Sequence, residues 1–364
     1  MDSRQHNQVE ANLPLHLIHH AFRRGGGMER CVVSLASSLR KLGKKIIVHT
    51  MKGDAALAAE LGVELQIAPI SEFPRKLQAY RFYRAMQRTR PQMAGPQIAF
   101  SRVRTSDILV CGGTHRGYLA RTRKLAGPFD WLQFSMERQA YREPRVLVAH
   151  SELIANDLQK YYGISKEKIR VLYAPLDERF AAVPDAPGRA ELRKKFGWPD
   201  EKVVFLFPSK GHRNKGLGRI CEALEPFAEK IMLVVAGKPP TFMRHKFVSY
   251  LGFVEEIISV YRAVDFTTLG SFYESFGLVG PESILCGTRL VFERDIGCLP
   301  VINPELVFTF SARDGASIRE AFSRAVALAE TKQHHFSPNG DSLRYDPSPL
   351  AHAKAVLEAL NCGP

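Results

Sequence analysis

The sequence lacks any apolar run long enough to cross a membrane. A membrane-spanning helix needs about 20 consecutive apolar residues, and the apolar runs of this 364-residue chain are much shorter. The first twelve residues are polar and lack the apolar core of a secretory signal peptide. We therefore expect a cytoplasmic protein that reaches a membrane only from its surface.

The cysteines lack the spacing of a metal site or of a disulfide framework. The sequence contains no CxxC pair, and several cysteines lie in apolar or helical surroundings, where cysteine behaves as a small hydrophobic residue. The sequence thus predicts neither disulfides nor a structural zinc site, and a reducing compartment is the simplest interpretation. The six residues are Cys31, Cys111, Cys221, Cys286, Cys298 and Cys362.

Excess positive charge is missing from the second half of the chain. Residues 176–364 contain 23 Lys and Arg against 23 Asp and Glu, whereas residues 1–175 contain 28 against 14. The first half is therefore expected to face an anionic partner, such as nucleic acid, anionic lipid or a phosphorylated substrate. Because the sequence has no recognisable nucleic-acid-binding module, we do not expect a nucleic-acid partner. A non-catalytic binder of anionic surfaces or nucleic acid remains an alternative.

Short apolar runs alternate with amphipathic segments along the chain. This alternation is typical of βα units and a parallel sheet. Two such series predict an α/β protein with two Rossmann-like, doubly wound domains that face each other across a ligand cleft. We place the domains at residues 1–175 and 176–340, with a break in the Pro- and Gly-punctuated stretch Pro175–Pro199. Residues 341–364 are expected to add a helix that packs back on the first domain.

The predicted strands are the buried apolar runs of both halves, and they are flanked by the predicted helices. The helices are expected within Glu29–Leu42, Leu217–Lys230, Glu255–Arg262 and Ala316–Glu330. The strands are expected within Leu13–His19, Lys45–Thr50, Val63–Ile70, Asp107–Cys111, Arg145–Ser151, Ile169–Ala174, Val203–Phe207, Ile231–Ala236, Val264–Leu269, Arg289–Phe292 and Val307–Phe310.

A run of three glycines follows the first predicted strand and opens a helix. Gly26 and Gly27 let the backbone approach a ligand closely, and the helix N-terminus offers unpaired N–H groups to an anion. The run is not the GxGxxG dinucleotide fingerprint, and no Walker lysine follows it. A plain tight turn is an equally good interpretation of this motif alone.

A basic loop follows the first predicted strand of the second domain. Lys210, Arg213 and Lys215 place three cations within six residues, at the carboxyl end of a strand and before a helix. Such a cluster suits a diphosphate, because charge-assisted hydrogen bonds are the strong ones. The alternative is a solvated basic loop without a ligand.

Two carboxylates eight residues apart form the most informative motif. Glu274 and Glu282 flank a Phe-Gly turn, and Pro281 suits the first turn of a helix. A carboxylate near a helix N-terminus can simply compensate the helix dipole. The surrounding apolar run argues against two surface charges, and sugar or ribose hydroxyls would be suitable partners for buried carboxylates.

In their shared order these motifs resemble the retaining GT-B glycosyltransferases of family 4. The Glu274–Glu282 pair followed by Gly287–Val291 is similar to the signature of that family, and Gly26–Arg30 is similar to its first loop. Asp265 resembles the family's Ala-Asp step before a strand, and Tyr250–Val254 its segment beside the nucleotide base. The resemblance extends from about Leu15 to Val326.

Three further segments resemble the lipopolysaccharide-core members of that family. They are Gly113–Leu119, Phe134–Arg138 and Ser151–Leu158. The resemblance implies a retaining, metal-independent hexosyltransferase that uses a nucleotide-diphosphate sugar, expected to be a UDP-sugar, and no cofactor. Consistent with this, no DxD motif occurs in the sequence. The implied acceptor is a lipopolysaccharide-core or other lipid-linked glycan at the cytosolic face of the inner membrane. A GT-B nucleotide-sugar epimerase remains an alternative.

The resemblance also implies roles for individual residues. Lys215, with either Lys210 or Arg213, would neutralise the donor diphosphate and stabilise it as the leaving group. Glu282 would accept hydrogen bonds from the ribose, and Glu274 would hold hydroxyls of the donor sugar. The remaining implied contacts are the backbone of Phe276, Gly277 and Leu278 at the phosphates, Gly252 and Val254 beside the base, and Gly26 and Gly27 over the diphosphate. His115 is our own candidate for a group near the donor sugar or acceptor hydroxyl, and the alternative for this lone histidine is a hydrogen-bonded structural role.

A basic amphipathic helix is predicted at residues 75–90. Ala79, Phe82, Tyr83 and Met86 share one face of it, and the other positions are rich in Arg and Lys. Such a helix can lie in the interface of an anionic membrane. The alternative is a helix that packs its apolar face on its own domain.

Overall fold

The computed structural model describes residues 13–71, 73–105, 107–180, 188–209, 211–237 and 245–362. The chain divides into two compact units. Unit 1 comprises Met1–Pro175 together with Asp346–Pro364, and unit 2 comprises Leu176–Tyr345. The C-terminal segment thus returns to the unit in which the chain begins.

The division near the C-terminus lies a few residues after the expected boundary at residue 340. Leu343 forms an isolated antiparallel bridge with Ile302. The Asn303 N–H donates to the Ser342 carbonyl at 3.2 Å, and the Arg344 N–H donates to the Val301 carbonyl at 2.8 Å. These backbone bonds extend unit 2 to Tyr345.

The strands of the described residues are short, as expected for a parallel α/β protein. In unit 1 they are β1 (Leu15–Ile18), β2 (Ala21–Phe22), β3 (Ile46–Thr50), β4 (Lys52–Gly53), β5 (Glu64–Ile67), β6 (Gln97–Ala99), β7 (Ile108–Cys111), β8 (Val146–Ala149) and β9 (Ile169–Val171). In unit 2 they are β10 (Val203–Ser209), β11 (Ile231–Gly237), β12 (Val248–Gly252), β13 (Phe266–Leu269), β14 (Arg289–Glu293) and β15 (Val307–Phe310).

The α-helices of the described residues connect these strands. They are α1 (Gly27–Lys41), α2 (Ala55–Leu61), α3 (Gln78–Thr89), α4 (His115–Thr122), α5 (Pro128–Arg142), α6 (Glu152–Tyr162), α7 (Arg189–Phe196), α8 (His212–Lys215), α9 (Leu217–Leu224), α10 (Ile257–Ala263), α11 (Val279–Leu285), α12 (Gly315–Glu330) and α13 (Pro349–Cys362). Local sequence explains their ends. For example, the Ser151 hydroxyl accepts the Ile154 N–H at 3.2 Å to begin α6, and Gly163 ends it with a φ of +65°.

Each unit contains a doubly wound parallel sheet. The strand order is β5-β3-β1-β6-β7-β8-β9 in unit 1 and β12-β11-β10-β13-β14-β15 in unit 2, and every pairing within the two sheets is parallel. The predicted α/β class with two Rossmann-like sheets is confirmed. The order reverses between β1 and β6 in unit 1 and between β10 and β13 in unit 2, which are the positions where such sheets bind ligands.

Helix α3 packs its apolar face into the core of unit 1. Phe82, Tyr83 and Met86 are at most 4% exposed and belong to the hydrophobic cluster that covers one face of the sheet. This face is therefore not available to a membrane, and the alternative of a self-packed helix describes α3. No helix among the described residues combines the length and the hydropathy that crossing a bilayer requires.

A buried carboxylate connects the two central strands of unit 2. The Asp265 N–H donates to the Val204 carbonyl at 2.9 Å, and the Asp265 carboxylate accepts the Val204 N–H at 2.7 Å. The same carboxylate pairs with Arg193 and with Arg189, the latter at 3.1 Å, and accepts a hydrogen bond from His334 at 2.7 Å. Burial alone would raise the pKa of Asp265, but the His334 hydrogen bond and the two arginines lower it to about 2.

We expect Asp265→Asn to lower the free energy of unfolding of unit 2 by about 3–5 kcal/mol, because the buried guanidinium of Arg193 and the partly buried one of Arg189 lose their counter-charge. Since the folded pKa lies below the unfolded value, this contribution is present above about pH 4 and is lost as the pH falls through about 2. Chemical denaturation monitored by circular dichroism between pH 7 and pH 2 measures both effects.

The matched control is Glu330→Gln, which removes the exposed ion pair between Glu330 and Lys230. We expect a change below about 0.5 kcal/mol for this variant, as is usual for surface pairs. Equal effects of the two substitutions would contradict the assigned role of Asp265.

Candidate functional site

The point of strand-order reversal in unit 2 is bordered by two loops. Because parallel strands end at the same edge, the loop after β10 and the loop after β13 emerge side by side. The first loop spans residues 211–216 and includes the one-turn helix α8, and the second spans residues 270–278. These loops contain Arg213 and Lys215 of the predicted basic cluster and Glu274, the first predicted glutamate.

The backbones of the two loops are hydrogen-bonded to each other. The Gly270 N–H donates to the Lys215 carbonyl at 3.0 Å, and the Arg219 guanidinium donates to the Gly270 carbonyl at 2.9 Å. Gly216 has a φ of +83°, and a Cβ at this position would lie 2.5 Å from the Gly270 carbonyl oxygen. Only glycine allows this approach, so the basic loop is held in one position at the sheet edge.

The structure brings Lys215 and Glu274 together. The Lys215 Nζ lies 3.2 Å from the Glu274 Oε2, and both side chains remain about a quarter exposed. The Ser271 hydroxyl donates to the same carboxylate at 3.4 Å. Gly277 has a φ of +85°, and a Cβ there would lie 3.1 Å from the Glu274 Cγ. The pair therefore presents a cation and an anion to solvent at the end of β13.

The Glu274 loop is supported from behind by the loop that follows β14. The Gly297 N–H donates to the Glu274 carbonyl at 3.1 Å. A Cβ at Gly297 would lie 2.0 Å from the Ser275 carbonyl oxygen, so any other residue would displace this backbone. The sequence analysis did not identify this contact, although a glycine in a loop between two strands can indicate a close approach of two backbones.

Glu282 is buried in α11, with an exposed fraction of 4%. Its Oε2 accepts a hydrogen bond from the Tyr261 hydroxyl at 2.9 Å. Phe276, which precedes this helix, is buried as well, at 4%. Gly277 and Leu278 lead into the helix, and the first N–H groups of a helix are not used by the helix itself.

The remaining predicted residues of unit 2 lie further along the same edge. Gly252, with a φ of +73°, is the last residue of β12 and Val254 follows it, and β11 separates this strand from β10. Two strand spacings place them about 10 Å from the basic loop. Arg213 is exposed in α8, and Lys210 lies outside the described residues.

In unit 1, the glycine run begins α1. Gly26 precedes the helix and its carbonyl accepts the Arg30 N–H at 2.9 Å, while Gly27 is the first helical residue. A Cβ at Gly112, directly after β7, would lie 2.5 Å from the Met28 Sδ. The first turn of α1 is therefore packed against the carboxyl end of β7.

His115 begins α4 and has a carboxylate partner. Its Nε2 lies 2.6 Å from the Asp130 Oδ1, and both side chains are about a quarter exposed. The other Asp130 oxygen accepts the Gly127 N–H at 2.7 Å, and this bond, followed by the His115 bond, lowers the pKa of Asp130. The Asp130 carboxylate can orient the His115 ring toward a substrate, or the pair can simply connect α4 to α5.

A buried glutamate that sequence reasoning missed connects the elements around His115. Glu137 is fully buried, and its Oε1 accepts from the Arg102 Nε at 2.6 Å and from the His115 N–H at 2.9 Å. The Tyr162 hydroxyl donates to the other oxygen. The segment Phe134–Arg138 of α5 gave no sign that Glu137 is buried, because burial follows only from the packed fold.

A second missed group lies where the strand order of unit 1 reverses. The Ser101 hydroxyl, after β6, lies 3.2 Å from the His19 Nδ1 and 3.1 Å from the His20 Nδ1, and both histidines follow β1. Burial lowers the pKa of His19 to about 3. Two consecutive histidines directly after a strand are a sequence signal that could have identified this group.

Comparison with known sequences gives matches over most of the chain. The sequence model of Glycosyltransferase Family 4 matches residues 25–180, and that of Glycosyl transferases group 1 matches residues 188–342. A probable transglycosylase of Burkholderia thailandensis is 37% identical over 343 residues, which cover 93% of this chain and 94% of that protein. A D-inositol 3-phosphate glycosyltransferase of Xylanimonas cellulosilytica is 31% identical over 174 residues, or 43% of this chain and 42% of that protein.

Solved structures share the fold at low sequence identity. WaaG, a glycosyltransferase involved in lipopolysaccharide biosynthesis, has a TM-score of 0.75 at 17% identity, over 96% of this chain and 95% of that chain. HepE of Anabaena, in complex with UDP and glucose, has a TM-score of 0.71 at 14% identity, over 96% and 100%. With its two Rossmann-like sheets and the two family matches, the chain belongs to the GT-B glycosyltransferases of family 4, group 1.

Proposed function

We propose that this glycosyltransferase takes a sugar from a UDP-sugar and transfers it, with retention and without a metal ion, to a glycan acceptor at a membrane surface. The Lys215–Glu274 pair carries the proposal. Lys215 is a cation that can bind phosphate, and Glu274 is a carboxylate that can accept hydrogen bonds from sugar hydroxyls. The two side chains lie next to each other where the strand order of unit 2 reverses. A nucleotide-diphosphate sugar needs both groups side by side, because its charged diphosphate is directly bonded to its sugar.

The diphosphate would lie between the basic loop and the start of α11. Lys215, together with Lys210 or Arg213, would neutralise the charge that develops on the diphosphate as its bond to the sugar breaks. The N–H groups of Gly277 and Leu278 would add backbone donors at a helix N-terminus. On diphosphate binding, the Lys215 ammonium would divide its hydrogen bonds between Glu274 and the phosphate oxygens.

The nucleoside would lie along the edge from Glu282 to β12. A buried carboxylate is a strong hydrogen-bond acceptor for ribose hydroxyls, and Glu282 is already oriented by Tyr261. Gly252 and Val254 would border the base. The complex of HepE with UDP and glucose supports UDP as the first nucleotide to test.

The acceptor side of the proposal depends on the basic unit 1. Five large apolar side chains are exposed among the described residues of unit 1, and four of them, between 51% and 96% exposed, lie on two segments, one just before α3 and one around the start of α5. The Lys76 Nζ lies 4.9 Å from the centre of the Phe129 ring and brings the two segments together. Exposed apolar residues among cations suit an anionic membrane surface, which supports a peripheral location at the cytosolic face of the inner membrane. The four residues are Phe73, Leu125, Phe129 and Trp131.

A lipopolysaccharide-core or other lipid-linked glycan would suit such a surface. The fold that the chain shares with WaaG supports lipopolysaccharide as the first acceptor class to test. His115, oriented by Asp130, is our candidate for a group near the acceptor hydroxyl or the donor sugar.

Calorimetric titration with UDP, and with GDP and ADP as comparators, tests the donor site. We expect selective UDP binding without added metal, and we expect Glu282→Gln to weaken it about 10- to 100-fold, because a charge-assisted hydrogen bond contributes about 1.5–3 kcal/mol.

The matched control is Tyr261→Phe, which keeps the Glu282 carboxylate and removes only its hydroxyl partner. We expect this variant to retain UDP affinity within about fivefold. If Glu282→Gln binds UDP as the unaltered protein does, the ribose role is wrong.

Lys215→Gln should reduce kcat/KM for sugar transfer by about 10²–10³, because the variant loses a cation at the leaving group. Release of UDP from a UDP-sugar in the presence of acceptor measures the loss. Lys230→Gln, which changes a lysine exposed to solvent and paired with Glu330, serves as control and should keep full activity.

Product formed from the donor without any acceptor would instead favour an epimerase.

The double variant Leu125→Ser, Trp131→Ser should bind anionic phospholipid vesicles at least about tenfold more weakly, because burying each side chain contributes about 1.5–3 kcal/mol. Vesicle sedimentation measures this binding. Phe253→Ser, at an exposed phenylalanine of unit 2, is the control and should bind as the unaltered protein does. Undiminished binding of the double variant would exclude this surface as the docking site.

A further inference from the structure

Three buried side chains with metal-ligating atoms meet in unit 1, far from each other in sequence. Cys31 lies in α1, His150 directly follows β8, and His352 lies in the first turn of α13. Each is at most 5% exposed. Their ligand atoms all lie within 4.8 Å of one another.

His352 has no hydrogen-bond partner on either ring nitrogen among the described residues, although it is buried. A neutral imidazole has one N–H donor and one acceptor nitrogen. Burying both without partners is unfavourable, and buried polar groups of folded proteins are normally satisfied. The orphaned ring therefore indicates a ligand that is neither a backbone group nor a side chain.

The geometry fits a tetrahedral ion. The Cys31 Sγ lies 3.8 Å from the His150 Nε2. Zinc bonds of about 2.3 Å to sulfur and about 2.05 Å to nitrogen place neighbouring ligand atoms roughly 3.3–3.6 Å apart. The rings of His150 and His352 have centres 5.6 Å apart and planes inclined by 65°, and one nitrogen of each ring lies within 4.8 Å of the other two ligand atoms.

We propose that Cys31, His150 and His352 form a zinc site in unit 1, with a water molecule in the fourth position. Soft thiolate and imidazole ligands in this combination suit zinc. On binding, the Cys31 S–H bond breaks, the sulfur forms its bond to the ion, and the proton leaves to solvent. This site is separate from sugar transfer and does not depend on the proposed donor or acceptor.

The group Asp265, His334 and His335 in unit 2 also clusters ligand atoms. There, however, Arg189 and Arg193 already neutralise the carboxylate and would repel a cation.

The zinc ion would attach the C-terminal helix to the sheet of unit 1. Helix α13 packs against α1 through Ala353, Val356 and Leu360, and the Arg145 guanidinium donates to the Leu360 carbonyl at 3.3 Å. An ion bound to α1, to the end of β8 and to α13 would add a cross-link that the unfolded chain lacks. Zinc binding would therefore stabilise unit 1 against unfolding.

Metal analysis and titration of the full chain test the proposal. After chelator treatment and dialysis, we expect one equivalent of Zn²⁺ to bind and to raise the Tm by about 5–10 °C. One equivalent of Co²⁺ should give a thiolate-to-cobalt charge-transfer band in the near ultraviolet. Cys31→Ser should abolish this band, and His352→Gln should weaken zinc binding at least about 100-fold.

The matched controls are Cys221→Ser and His16→Gln, which change a buried cysteine and a buried histidine outside the cluster. Both should keep the band and one bound zinc. Circular dichroism of every variant in chelator confirms that it is folded. The proposal is overturned if the folded chain takes up no stoichiometric zinc. It is equally overturned if zinc or cobalt binds without a thiolate band, or if Cys31→Ser and His352→Gln bind the metal as the controls do.

Discussion

The pairing of β10 with β13 depends on the buried carboxylate of Asp265. These strands are about 60 residues apart, and Asp265 bonds Val204 through both its backbone and its side chain while two arginines balance its charge. The register set at this end of the strands determines where their carboxyl ends emerge. The Lys215–Glu274 pair lies at those ends, so a charge cluster at one edge of the sheet supports the candidate site at the opposite edge.

Close backbone approach determines the finer geometry of the site. Gly216 lets the basic loop lie against Gly270, and Gly297 lets another loop support Glu274 from behind. Side chains at these positions would separate the backbones, and Lys215 and Glu274 would no longer share a hydrogen-bonding distance. In this way backbone hydrogen bonds hold three loops together at one edge of unit 2.

Unit 1 uses buried polar groups for the same purpose. Glu137 connects Arg102, His115 and Tyr162, so the elements around the candidate His115 are held by one carboxylate. The proposed zinc ligands would connect the C-terminal helix to the same sheet. The apolar face of α3 is buried within the unit, whereas neighbouring side chains such as Trp131 are exposed and available to a surface partner.

The sequence by itself determined the α/β class, the two Rossmann-like units and the family, because local hydrophobic periodicity and short motifs carry that information. It missed β6 and β12, since Gln97–Ala99 is very short and Val248–Gly252 is only half-buried. It named Lys215, Glu274 and Glu282 as site candidates, and their roles stay predictions. Only the tertiary structure decided which groups meet: the Asp265 cluster, the Glu137 network and the Cys31–His150–His352 group each join segments far apart in the chain. Such contacts depend on strand order and helix packing, which no local pattern encodes.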